Sequence, residues 1–123
     1  MVTAGIWVQQ QRNGFDYDNP TAVTAQREAV RKAVQAYKDK PALLIWGLGN
    51  EMEGPISDGS DVRVWKELNV LAGIIKEIDP NHPVMTVIAG AGGERIKNLL
   101  AYCPNIDILE VNAHGAASEV GRL

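Results

Sequence analysis

A carboxylate that follows directly on a buried strand is well placed for proton transfer, and the stretch Lys38 to Gly54 (KDKPALLIWGLGNEMEG) delivers one. Ala42 to Leu48 is a near-continuous apolar run behind Pro41, and it opens into Gly49, Asn50 and Glu51. Such a run suits a strand covered on both faces, and catalytic groups in folds of this kind sit where the strand meets the next loop. Asn50 and Glu51 are therefore the leading candidates for chemistry. Trp46, nearby in sequence, could desolvate Glu51 and raise its pKa, as a general acid near neutral pH requires.

Other groups offer less. Glu53, Asp58 and Asp61 follow Glu51 in a loop, and Asp16 and Asp18 lie in an earlier one. Loop carboxylates rarely reach the sub-ångström positioning that catalysis needs. Glu110 sits inside an expected strand and reads as non-catalytic. His82 and His114 stand far apart with no carboxylate at ligand spacing, so no metal site is expected. Gly90-Ala91-Gly92-Gly93 lacks the spacing of a dinucleotide fingerprint and reads as a tight turn into a helix. Cys103 reads as packing. No cofactor is expected.

The elements that must hold Glu51 can be read in order. Val2 to Val8 is a first strand and Gln9 to Asn19 a polar loop. Asn19-Pro20 starts a helix by a side-chain cap and a proline at the first position. Val23, Val30, Val34 and Tyr37 give its apolar stripe, and Lys38 to Pro41 close it. The strand ending at Glu51 follows. After the Met52 to Asp61 loop, capped by Ser60 or Asp61, Trp65, Leu68, Leu71, Ile75 and Ile78 mark a second helix ended by Asp79-Pro80. Val84 to Ile88 is a β-branched strand. Ile96, Leu99, Leu100 and Cys103 mark a third helix, broken at Pro104, and Ile106 to Val111 is a fourth strand ending in Asn112-Ala113-His114-Gly115. The tail to Leu123 has little periodicity, and no fourth helix is expected there. The order βαβαβαβ forces parallel pairing by right-handed crossovers. Residues 1–123 are expected to form a single α/β unit.

A net charge of −3 argues against a nucleic-acid or anionic-membrane partner. No apolar run approaches the ~18 residues of a membrane span. The single cysteine excludes an intrachain disulfide and leaves the compartment open.

With Lys-Pro before the strand and Trp-Gly-Leu-Gly inside it, the segment resembles the fourth strand of the retaining glycosidases of clan GH-A. The closest resemblance is to the TIM barrel of glycoside hydrolase family 2. VTAGIWV is similar to strand three of that barrel, DPNHPVMTV to the approach to strand five, and IDILEVNAHG to strand six. The resemblance implies that Glu51 is the general acid/base and that Asn50 touches the sugar 2-hydroxyl. It also places Asn112 in the sugar pocket, with His114 where the family tends to have tyrosine. Read from their own positions, taken as inward, Trp7 and Trp46 are expected either as a sugar platform or, as commonly, as barrel-core packing. Strands one, two, seven and eight have no counterpart here, and strand seven carries the nucleophile glutamate in this clan.

At 123 residues against the ~250 of a TIM barrel, the chain reads as a (βα)4-like half barrel. Two open edges and an exposed inner face invite association, so a homodimer is expected to complete the ring. Rearrangement into a flat doubly wound sheet is the alternative that the same βα order permits. In a two-fold ring the two Glu51 groups would lie too far apart for the retaining arrangement. The expected function is a glycoside hydrolase fragment acting on carbohydrate, weakly active or inactive alone. The alternative is a non-catalytic carbohydrate-binding or self-assembling half-barrel module.

Overall fold

The computed structural model describes residues 2–54 and 58–112. Four strands, β1 (Val2–Ile6), β2 (Leu43–Leu48), β3 (Val84–Ile88) and β4 (Ile108–Val111), form one all-parallel sheet in the order β1-β2-β3-β4. Three helices alternate with them: α1 (Pro20–Tyr37), α2 (Val62–Ile78) and α3 (Arg95–Tyr102). Helix α2 packs on both α1 and α3 and lies against β2 and β3, so the helices share one face. A doubly wound sheet reverses its strand order at a switch point. The sequential order seen here, with helices on one side, is that of a partial β/α barrel.

Local signals behave as their chemistry demands. Asn19 Oδ1 accepts from the backbone N–H groups of Thr21 and Ala22, at 3.1 and 3.2 Å, and Pro20 opens α1. Asp61, not Ser60, caps α2 through the N–H of Arg63. Arg27 reaches across to Glu67 with two hydrogen bonds of 2.8 and 2.7 Å, joining α1 to α2. β1 and β4 are shorter than the expected Val2 to Val8 and Ile106 to Val111.

The core lies between sheet and helices. Ile6, Trp46, Leu48, Val84 and Ile88 from the strands meet Val30, Val34, Trp65, Leu68, Leu71 and Ile75 from the helices. Alternation puts Thr3, Gly5, Ile45, Gly47, Met85, Val87, Ile108 and Glu110 on the opposite, inner face. Exposed Trp7 extends that row beyond β1, and exposed Ile108 and Glu110 lie at its far side.

Asp61 carries a pH-dependent share of stability. Its hydrogen bonds from Arg63 come first among the causes that hold its carboxyl down at about 2, against the ordinary 3.8. A carboxyl depressed in the fold stabilises it fully above the unfolded value and loses that contribution as pH falls through the folded one. Resistance to urea should thus fall between pH 4 and 2, and more shallowly in Asp61→Asn, which still caps the helix.

Candidate functional site

β2 ends at Leu48, and the next three residues turn sharply. Gly49 takes φ +69°, a conformation open to glycine at little cost, while its N–H bonds the Ile6 carbonyl at 3.0 Å. Glu51 is the non-glycine residue with positive φ among the described residues, at +47°. That geometry is uncommon for a side chain with a long stem and persists where the surroundings enforce it.

Several contacts do so. The Glu51 N–H donates to the Val87 carbonyl of β3 at 2.8 Å. From the loop after β1, the Arg12 guanidinium donates to the Glu51 carbonyl at 2.8 Å, and the Gln10 amide to the Asn50 carbonyl at 2.7 Å. Asn13 in turn donates to Gln10 Oε1 at 2.8 Å. Gln10 is buried, so its polar end is committed to this contact. The Gln10–Arg12 latch was not foreseen from sequence, because nothing in QQQRNG has the periodicity of an element.

The Glu51 side chain is itself buried, and its Oε1 accepts from Asn112 Nδ2 at 3.0 Å. Asn112 follows β4 directly and is held by its own N–H on the Ile88 carbonyl at 2.9 Å. The ends of β2 and β4, with β3 between them, thus bring the expected Glu51 and Asn112 together. The Asn50 residue is exposed beside them. His114 lies outside the described residues.

The other carboxylate of the turn is committed elsewhere. Glu53 accepts from the Ala89 N–H at 3.1 Å and lies 3.0 Å from Arg95 Nε, with both side chains buried. Burial is the foremost influence and raises its carboxyl above the ordinary range, against the opposing pull of Ala89 and Arg95. This pair ties the loop after β2 to the start of α3. The glycine turn before α3 is a packing feature as expected: Gly93 has φ +66°, and a Cβ there would lie 2.5 Å from the Asp58 carbonyl oxygen. Cys103 is likewise packed, its thiol pushed up to about 12 by burial.

Trp46 takes the packing alternative, and its expected place as a sugar platform is corrected. It is not inward but faces the helices, is 1% exposed, and donates its indole N–H to Asp79 Oδ2 at 2.9 Å. The cause is a register shift at the start of the β1–β2 pairing, where Val2 faces Leu43 but Thr3 faces Ile45. A side chain buried on that face cannot stack on a sugar at the strand ends. Trp46→Phe should cost about 1–3 kcal/mol by removing one hydrogen bond from the buried Asp79 carboxylate, which keeps His82 and the Asn81 N–H, measured by denaturant unfolding, with carbohydrate binding unchanged.

Strand-end carboxylate and amide groups on a one-sided parallel β/α sheet place the chain in the class of partial β/α barrels. Residues 1–114 match the glycosyl hydrolases family 2 TIM barrel domain, and the chain belongs to that family. Mannan endo-1,4-beta-mannosidase 4 of Solanum lycopersicum is 33% identical over 99 residues, covering 80% of this chain and 23% of that protein. Mannan endo-1,4-beta-mannosidase 7 of Oryza sativa is 36% identical over 72 residues, 58% of this chain and 18% of that one. Mannan endo-1,4-beta-mannosidase F of Aspergillus clavatus is 32% identical over 77 residues, 62% and 17% respectively. The chain therefore spans less than a quarter of the length of these relatives.

Proposed function

We propose that the chain carries the acid/base half of a retaining glycoside hydrolase site acting on β-linked mannosides. The observation that carries this reading is the buried Glu51 carboxyl at the end of β2, pinned by its backbone to two neighbours and bonded to Asn112. A general acid must be held still while it meets the leaving oxygen, and this turn holds it. The exposed Asn50 residue beside it suits a contact to the sugar 2-hydroxyl, and Trp7 is an exposed aromatic for stacking. The substrate class follows from the names of the relatives.

A retaining site needs a second carboxyl about 5–5.5 Å from the first. Glu53 is bound to Arg95 and Ala89, which leaves it a structural part of the turn. On this reading the nucleophile comes from strand seven of the family barrel, which a ring of two copies would not supply, so the chain turns over little or nothing alone or as a dimer. Assayed alone with aryl β-mannosides, it should run near the buffer rate, with any excess removed by Glu51→Gln. An excess retained in Glu51→Gln would sink the assignment.

Among the described residues β1 and β4 have no outer neighbour in the sheet, and a second copy is the partner proposed for these edges. β1 and β4 are the outer strands of a parallel sheet, so β4 of one copy can continue onto β1 of the next. Beside β1 lies a groove of about 850 Å³, floored by Ala22, Ala25, Ala29 and Ala33 of α1, small residues that let an element approach closely. Light scattering should show a dimer at micromolar concentration. A monomer at all concentrations would contradict this part of the reading.

A further inference from the structure

We propose that Asn112 is the positioning partner of Glu51 in both protonation states of the acid–base cycle, its amide turning over as the carboxyl loses and regains its proton. The proposal rests on reading Glu51 as the acid/base. It gives Asn112 a partner within the protein, where the family resemblance gives it a place in the sugar pocket.

The geometry motivates it. Glu51 cannot follow its proton by moving its backbone, which is fixed on Val87 and Arg12. Its partner is a group able to answer either protonation state. Asn112 is anchored by its own N–H on Ile88, while its side chain ends on Glu51 Oε1 at 3.0 Å. A primary amide has two N–H donors on one side and an acceptor oxygen on the other. A lysine or arginine in its place would serve the carboxylate alone, and an aspartate would repel it.

The cycle balances. Protonated Glu51 donates its O–H to Asn112 Oδ1 when that bond is not aimed at substrate. On giving the proton to the leaving oxygen it becomes a carboxylate and accepts from Asn112 Nδ2. When it takes a proton from the incoming water, the amide turns back. The terminal torsion of asparagine is broad and two-fold, so the turn of about 180° crosses no staggered well. Among the described residues, the charged groups on surrounding elements include Arg12, on the Glu51 carbonyl; Glu53 and Arg95, paired with each other; and Glu110 on β4.

The test follows the Glu51 carboxyl carbon and the Asn112 side-chain amide by NMR through a pH titration of the purified chain. The expected result is that the Asn112 amide signals move with the Glu51 midpoint. The charge-assisted bond is the stronger of the two, so Asn112→Ala should raise that midpoint by about 0.5–1 unit, a three- to tenfold weaker acid. Asn112→Asp should raise it further through like charge. Amide signals blind to the Glu51 titration would overturn the proposal even if Asn112→Ala failed to fold. So would an unchanged midpoint in a folded Asn112→Ala. Neither readout depends on turnover, so a coupled pair in a chain that neither binds nor cleaves mannosides would fail the glycosidase reading while the pairing itself stood.

Discussion

Glu51→Gln is expected to lower hydrolysis of an unactivated β-mannoside by about 10²–10⁴-fold, the usual worth of a general acid. The setting is a barrel completed by a polypeptide that supplies the other four strands, with the strand-seven carboxylate. The loss should depend on the leaving group. A dinitrophenolate departs without a proton, so its glycoside should lose far less in the glycosylation step than mannobiose does. That contrast separates loss of an acid from loss of fold, since a damaged pocket would slow both substrates alike. Equal losses would move the acid role away from Glu51. Arg12→Met should give a smaller loss for both, because the carbonyl latch orients the turn and moves no proton.

The second large effect is on stability. Glu53→Ala should cost about 3–5 kcal/mol, because it leaves the Arg95 guanidinium buried without its carboxylate. Replacing both, Glu53→Leu with Arg95→Met, should cost much less. The raised Glu53 carboxyl says why: burial outweighs the help of Ala89 and Arg95, so the ionised pair is held at net expense. The sign in pH also follows. A carboxyl raised in the fold stabilises it below the unfolded value and loses that contribution as pH rises through the folded one. This is opposite to Asp61, and chemical unfolding of the double variant should lack that component. A double variant as damaged as Glu53→Ala would show that the cost lies in packing.

The outcome shows what kinds of information the chain carries openly. The βα order was legible because helical stripes, an Asn-Pro start and proline stops are local signals, and Asn19, Asp61 and Pro20 act locally. The strand-end positions of Asn50, Glu51 and Asn112 were legible from those same boundaries, while the roles expected of them came from the family resemblance. The face of Trp46 was not. A run such as LLIWGL has no polar alternation to set its phase, and one shift at Leu43 and Ile45 decides which residues turn to the helices. Its partner Asp79 lies 33 residues away, on the far side of α2. The Gln10–Arg12 latch was hidden for a related reason. Loop side chains that hold another loop's carbonyls leave no period in the sequence, and the unusual φ of Glu51 that they enforce is not written in any residue type.

The measurement that bears most directly on the account is chemical-shift mapping of the isotope-labelled chain titrated with β-1,4-linked mannobiose. The account predicts saturable shifts centred on Asn50, Glu51 and Asn112 at the carboxyl ends of β2 and β4, abolished in Glu51→Ala and retained in Trp46→Phe. No saturable shift at those residues, or shifts confined to the groove beside α1, would contradict the assignment of this strand end as the sugar subsite.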